Sequence, residues 1–135
     1  QDNYPNHEII KNDILRNESY VLEKDNLIIA TIVLSFQKEE TYESIEGKWI
    51  NNNPYATIHR IAISNEYKGQ GISKILMNNV YNKCLEKGFL NIRVDTHEDN
   101  LVMRSFLYKE DFNYCGIIYL KNGAKRQAYQ KVLIK

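Results

Sequence analysis

Two closely spaced glycines, Gly69 and Gly71, lie between an apolar segment and an amphipathic one. The upstream segment, residues 57–63, is short and rich in β-branched residues, which predicts a strand. Downstream, apolar residues recur at spacings of three and four, which predicts a helix; they are Ile72, Ile75, Leu76, Val80, Cys84 and Leu85. The first turn of a helix has unpaired N–H groups and a partial positive charge, so it binds phosphate oxygens. Glycines let the backbone approach such an anion closely.

Two common phosphate-binding loops do not fit these residues. A P-loop needs a second glycine five positions after the first, and counting from Gly69 that position is Lys74. A dinucleotide-binding loop needs a third glycine three positions after Gly71, which is again Lys74. Two glycines before a helix also form ordinary tight turns, so the motif alone leaves a structural interpretation open.

The segment from Glu66 to Ser73 resembles the acetyl-CoA loop of the GNAT superfamily of N-acetyltransferases. The superfamily pattern is Gln or Arg, two residues, Gly, any residue, then Gly or Ala, and Glu66 departs from it at the first position. The loop acts mainly through backbone amides, so this departure matters less than a lost glycine. The resemblance implies acetyl-CoA as co-substrate, bound by Lys68, Gly69, Gln70, Gly71, Ile72 and Ser73.

The resemblance also covers the order of elements from about Ser19 to the end of the chain. Residues 95–100, followed by residues 101–109, are similar to the superfamily's strand end, asparagine and helix, with Asp111 in place of its usual glycine. It implies an α+β fold, with a mixed, mostly antiparallel twisted sheet that is flanked by helices and splayed at its central strands. The strand and helix that usually begin the superfamily fold are expected to be missing here.

The resemblance implies direct acyl transfer to an amine. The backbone of Ile61, Ala62 and Ile63 is expected to meet the pantetheine and the acetyl carbonyl, and residues 58–61 break the polar and apolar alternation as a bulge would. His59 is the candidate base, because an imidazole pKa of about 6.5 suits proton transfer at cellular pH. A structural histidine is the alternative, and His97 is a second candidate base.

Other candidates lie on the second predicted helix. Asn100 is expected to cap that helix and to meet the cofactor, and Met103 to face the pantetheine or the core. The superfamily's acid is a tyrosine seven residues after the asparagine, and here that position is Leu107. Tyr108 is turned about 100° away on a helix, so it is expected to be a packing or rim aromatic rather than the acid. The cations Lys68, Lys74 and Arg104 are candidates for the CoA phosphates.

Bulk composition narrows the function classes. A chain of 135 residues with 43% hydrophobic residues is expected to form a single globular domain. The resemblance implies that this is one acetyltransferase domain over residues 1–135, incomplete at its N-terminus. The net charge of +1 disfavours nucleic-acid binding. No apolar run is long enough to span a bilayer and no leader is recognisable, so a cytoplasmic protein without a membrane partner is expected. Cys84 and Cys115 lack metal-ligand spacing, so we expect buried thiols and no metal site.

Local patterns predict the remaining elements. A helix is expected over residues 7–16, and strands over residues 19–24 and 27–36, joined by a two-residue turn at Asp25 and Asn26. A long polar loop follows over residues 37–53, in which Trp49 either walls a pocket or anchors the loop. Alternation at Leu90, Ile92 and Val94 predicts a half-buried strand. Two final strands, residues 114–120 and 127–134, flank a turn at Asn122 and Gly123.

Three functions remain open from the sequence. The first is an N-acetyltransferase that moves an acetyl group from acetyl-CoA to a primary amine of a small molecule or a protein. The second is a catalytically weak acyl-CoA-binding sensor, which the leucine at position 107 keeps open. The third is an α+β interaction domain that binds no CoA. The acceptor pocket is expected to involve residues 37–53, Thr96, His97 and the final hairpin, and both a monomer and a homodimer are open.

Overall fold

The computed structural model of the chain describes residues 6–12, 17–69 and 71–133. The strands in chain order are β1 (Asn6–Asn12), β2 (Asn17–Lys24), β3 (Leu27–Ser35), β4 (Glu46–Gly47), β5 (Ala56–Ile63), β6 (Asn91–Thr96), β7 (Asn113–Tyr119) and β8 (Lys125–Val132), and the helices are α1 (Ile72–Glu86) and α2 (Leu101–Lys109). They fall into two compact units. The first unit holds Gln1–Phe36 and Ile58–Gly88, and the second unit holds Gln37–Thr57 and Phe89–Lys135.

The strands of the first unit run in the order β1, β2, β3, β5. β1, β2 and β3 pair antiparallel. Asp25 and Asn26 join β2 to β3 with φ values of 54° and 67°, as a two-residue hairpin turn requires. The Ser64 amide donates to the Ile29 carbonyl at 2.8 Å. β3 is thus an interior strand, and the hairpin expected from the sequence is confirmed.

The helix expected over residues 7–16 is wrong for residues 7–12, which lie in β1 and pair with β2 along their whole length. An isolated helix of ten residues is marginal, because nucleation costs more than so few hydrogen bonds return. A neighbouring strand offers the same backbone groups a complete set of partners. Residues 13–16 lie outside the described part of the chain.

The helix α1 forms where the apolar spacing predicts it. Its buried side chains are Ile72, Leu76, Met77, Val80 and Cys84. The Gly88 amide donates to the Leu85 carbonyl at 3.0 Å, and Gly88 has a φ of 85°. A left-handed glycine after the last turn is a common helix terminator. Both ends of α1 therefore agree with the sequence prediction.

In the second unit the strand order is β5, β6, β8, β7, β4. Ala56 and Thr57 pair in parallel with Ile92 and Arg93 of β6. The other pairs, β6 with β8, β8 with β7 and β7 with β4, are antiparallel. The turn between β7 and β8 contains Gly123 at a φ of 87°, so the second expected hairpin is also confirmed.

β6 differs from the half-buried strand that its alternation predicts. The apolar residues Ile92 and Val94 are buried, but the polar residues Asn91 and Arg93 are buried as well. Arg93 is covered by side chains of the segment Gln37–Thr57, which we call the covering segment. The face of β6 that carries Asn91 and Arg93 is buried by a distant part of the chain. Polar residues on a strand do not predict such burial.

Within the described ranges no helix combines the length and the hydrophobicity that crossing a membrane takes. Cys84 and Cys115 form no disulfide with each other; Cys84 is buried and Cys115 is half-buried. Burial raises the pKa of the Cys115 thiol above its ordinary value.

Candidate functional site

The glycine loop leads from the end of β5 into α1 within the first unit. A single 3-10 turn, Asn65–Tyr67, follows β5, and Glu66 is exposed in it. Gly69 and Gly71 have φ values of 83° and 76°. Both are left-handed conformations that favour glycine. The structure thus gives a physical reason for both glycines of the motif.

The start of α1 leaves backbone donors available to a ligand. Gly71 is the N-cap residue and supplies no capping side chain. The Ile75 amide donates to the Gly71 carbonyl at 3.2 Å, which opens the intrahelical ladder. The amides of Ile72 and Ser73 precede that bond and have no acceptor inside the helix. A Cβ placed on Gly69 or Gly71 would meet no atom within 4 Å, so open space borders the loop.

The strand before the loop carries the other first-unit candidates. His59, Arg60 and Ala62 are exposed, and Ile61 and Ile63 are half-buried. Two consecutive exposed residues, His59 and Arg60, break the alternation of β5, in line with the irregularity inferred from the sequence. His59 and Ile61 to Ile63 therefore adjoin the glycine loop along one strand. Lys68 is exposed, and Gln70 lies outside the described residues.

Asn100 caps α2 in the second unit. Its side-chain oxygen accepts a hydrogen bond from the Met103 amide at 3.1 Å. Asn100 is exposed and Met103 is half-buried. The capping role expected from the sequence is confirmed, and the cofactor contacts of both residues stay predictions.

The position of the usual acid is buried and apolar. Leu107 has no exposed surface, whereas Tyr108 is 81% exposed. The one-residue offset therefore turns the hydroxyl away from the packed face of α2, as expected. His97 is exposed, and its Nδ1 accepts from the Asp99 amide at 3.0 Å. Arg104 donates to the Glu98 carbonyl at 2.8 Å.

Sequence reasoning missed a cluster of aromatic and charged side chains in the second unit. The Arg93 guanidinium carbon lies 4.0 Å from the ring centroid of Trp49 and 4.2 Å from that of Tyr55. Its Nη2 donates to the Asn51 carbonyl at 2.8 Å. Burial lowers the pKa of Arg93. The available signal was an aromatic-rich loop preceding a strand with an internal arginine.

Asp95 joins the same covering segment to the sheet. Its Oδ1 accepts from the Tyr42 hydroxyl at 2.6 Å, and its Oδ2 lies 3.3 Å from Nε of Arg126. The Trp49 indole N–H donates to the Tyr42 carbonyl at 2.9 Å. Of the two roles left open for Trp49, the structure shows the anchor: its indole packs with Tyr42 in a buried cluster.

The model of the acetyltransferase (GNAT) family matches residues 2–113. A GNAT family acetyltransferase from Streptococcus agalactiae 2603 is 34% identical, with a TM-score of 0.75 over 87% of this chain and 66% of that chain. A putative acetyltransferase from Staphylococcus aureus Mu50 is 29% identical, with a TM-score of 0.66 over 86% of this chain and 72% of its own.

A GNAT family acetyltransferase from Elizabethkingia anophelis, solved with acetyl-CoA bound, has the same fold at 14% identity, with a TM-score of 0.71 over 97% of this chain and 99% of that one. None of the curated proteins is a match. This chain spans 66% of the length of the streptococcal protein. Since the family model covers most of the sequence, including the glycine loop and α2, the chain belongs to the acetyltransferase (GNAT) family.

Proposed function

We propose that this protein transfers an acetyl group from acetyl-CoA to a primary amine of a small molecule or a protein, by direct attack of the amine. The supporting observation is the pair of left-handed glycines at the start of α1, beside open space. Backbone amides of Ile72 and Ser73 are donors suited to a diphosphate. A bound acetyl-CoA would supply the activated thioester.

For the reaction to begin, a residue of this chain must remove a proton from the acceptor amine. An alkyl amine has a reference pKa of about 10.4, so only about one molecule in a thousand is unprotonated at neutral pH. We assign the proton-accepting role to His59, directly or through an ordered water, because it is exposed on the strand that leads into the glycine loop. The amine nitrogen then bonds to the acetyl carbon, the carbon–sulfur bond breaks, and the CoA thiolate leaves.

Three further roles remain: stabilising the oxyanion, contacting the cofactor and protonating the leaving thiolate. Backbone amides of Ile61 to Ile63 are placed to stabilise the oxyanion that forms on the acetyl oxygen. We assign Asn100 and Met103 to cofactor binding. Leu107 offers no proton, so the thiolate takes its proton from water, and a missing acid of this kind typically costs ~10² to 10⁴ in rate. Cys84 and Cys115 form no disulfide with each other, which fits a reducing compartment such as the cytoplasm.

A second candidate function is an acyl-CoA-binding sensor with weak or no turnover. The buried Leu107 at the position of the usual acid favours it. Both functions require acetyl-CoA binding and differ only in turnover. Thiol release from acetyl-CoA in the presence of a panel of amines supports the enzyme. Calorimetric binding without any amine-dependent thiol release supports the sensor, and no binding contradicts both.

The glycine loop provides the sharpest test of cofactor binding. Gly71→Ala and Gly88→Ala change left-handed residues at opposite ends of α1, with φ values of 76° and 85° and no atom near the new Cβ. Both variants should lose similar stability, about 1 to 2 kcal/mol from the left-handed penalty. Only Gly71→Ala should weaken acetyl-CoA binding in calorimetry. Equal affinity of the two variants for acetyl-CoA would remove the loop from the site.

His59→Gln tests the proton acceptor, because glutamine keeps a polar side chain that cannot take up a proton. The variant should have a lower kcat with the best amine, and the fall of kcat at acidic pH should disappear. Its affinity for acetyl-CoA should be unchanged. An unchanged pH profile would reduce His59 to a structural residue.

A further inference from the structure

The covering segment lies on a polar face of β6. Arg93 and Asp95 are two residues apart on this strand, so their side chains point to the same face. Arg93 contacts Trp49, Tyr55 and Asn51, and Asp95 contacts Tyr42. The Asn91 side chain, on the same face, accepts from the Asn51 side-chain amide at 3.1 Å. β6 therefore holds the covering segment at three alternate positions.

The Arg93 guanidinium is enclosed by this segment. The residue is 5% exposed, and its planar group lies between two aromatic rings at 4.0 and 4.2 Å. A cation that lies against the faces of desolvated aromatic rings is attracted electrostatically by both rings. Burying the charged guanidinium also has a desolvation cost, which an apolar side chain of similar volume would not have. What the charge adds is a defined direction for the rings that it contacts.

A buried amide network fixes the same part of the covering segment. The Gln130 side chain donates to Asn91 at 3.0 Å and to Asn51 at 3.2 Å, and its oxygen accepts from the Ile50 amide at 3.1 Å. Residues 49–51 are thus held by Arg93 and Gln130 together. The Ile50 backbone is held in this network, but its side chain is 45% exposed. The covering segment therefore offers an apolar surface whose backbone is fixed.

We propose that Arg93 is a positioning residue for the amine acceptor, because it fixes the covering segment as a preformed wall of the acceptor site. The inference rests on the proposed acetyl transfer. Long connecting segments with little regular structure are commonly functional in compact domains. The proposed cofactor roles lie in β5, the glycine loop and the start of α2, whereas the sequence predicts that residues 37–53 line the acceptor pocket. Arg93 acts through Trp49 and Tyr55 and contacts no reacting atom.

Trp49 provides a direct readout, because it is the single tryptophan of the chain. Arg93→Lys keeps the charge but not the flat stacking group, and Arg93→Met keeps the bulk without the charge. Both variants should shift the Trp49 emission to longer wavelength. Both should raise KM for the amine by roughly tenfold or more, with a larger effect in Arg93→Met, while KM for acetyl-CoA stays within about twofold.

The control is Arg126→Lys, on neighbouring β8, whose described contact is the ion pair with Asp95. It should leave the Trp49 emission unchanged. If the Arg93 variants fail to fold, Trp49→Phe is the substitute: it keeps a smaller ring for Arg93 and removes the indole donor to the Tyr42 carbonyl. This variant should also raise KM for the amine selectively.

The outcomes separate the two proposals. Wild-type turnover with any amine supports acetyl transfer, and its absence overturns both proposals. Where the wild type turns over, an unchanged amine KM in the Arg93 variants overturns the positioning role alone, even if their melting temperature falls. A parallel rise of both KM values also overturns it, because a general loss of structure would produce that result.

Discussion

At the scale of single residues, the contact between Tyr42 and Asp95 is a partly buried hydrogen bond from a tyrosine to a carboxylate. The Tyr42 hydroxyl and Asp95 Oδ1 are 2.6 Å apart, and Tyr42 is 2% exposed. Burial first, and the charge of Asp95 second, raise the pKa of Tyr42 well above its ordinary value. The tyrosine therefore stays protonated in the folded protein at pH values where an unfolded chain has already ionised it.

This pKa shift predicts a loss of stability in alkali. The stability that Tyr42 contributes is complete below pH 10, its unfolded pKa, and is lost as the pH rises toward the higher folded pKa. Above pH 10 the free energy of unfolding should fall more steeply in the wild type than in Tyr42→Phe, by up to about 1.4 kcal/mol per pH unit. Urea denaturation at pH 9 and 11 measures both slopes. Parallel slopes would contradict the shift.

Asn100 combines two roles that substitution can separate. Asn100→Ala should lower the free energy of unfolding by about 1 kcal/mol, because the Met103 amide loses its capping acceptor. Asn100→Asp keeps that acceptor and should retain the stability. If the amide also meets the cofactor, Asn100→Asp should bind acetyl-CoA more weakly in calorimetry. A fully stable Asn100→Ala variant would show that the cap contributes nothing.

At the scale of elements, β4 and β7 pair through two facing glycines, Gly47 and Gly116. A Cβ on Gly47 would overlap the Cys115 carbonyl oxygen and lie 2.9 Å from the Gly116 Cα. A Cβ on Gly116 would overlap the Glu46 carbonyl oxygen in the same way. Both obstacles are backbone atoms, so neither strand can make room by a side-chain rotation.

Gly47→Ala should therefore cost far more stability than Gly123→Ala. Gly123 has a φ of 87° and open space around a new Cβ, so its substitution carries only the left-handed penalty of about 1 to 2 kcal/mol. Gly47→Ala adds an overlap of the kind that costs roughly 1–3 kcal/mol more. Chemical denaturation of the two variants measures the difference. Equal losses would mean that β4 separates from β7 at little cost.

At the scale of the whole molecule, ligand binding and stability are linked. A ligand that binds only the folded chain adds about 2.7 kcal/mol at one hundred times its dissociation constant. For a chain of 135 residues this corresponds to a rise in melting temperature of about 10 °C. Acetyl-CoA should produce this rise in the wild type and in Gly88→Ala, and a smaller rise in Gly71→Ala. No rise at saturating acetyl-CoA would contradict the proposed co-substrate.

The sequence by itself determined the elements whose signals are local. Asp25 with Asn26, and Gly123, specify their turns because few residues adopt positive φ without strain. The apolar spacing from Ile72 to Cys84 and the terminal Gly88 specify α1 in the same way. The glycine motif and the order of elements predicted the family that the family model confirms, because glycines before a helix are a local feature of the sequence.

Only the tertiary structure decided what depends on distant partners. Residues 7–12 form a strand because β2 pairs with them, against their helical spacing. From the alternation alone, Arg93 and Asp95 would lie on the exposed side of the strand, but the covering segment buries Arg93 and leaves Asp95 half-buried. Local patterns record which side chains share a face of a strand. The residues that cover that face come from a segment 38 or more residues away in the sequence. The periodicity of the strand cannot predict them, because it depends only on the residues of the strand.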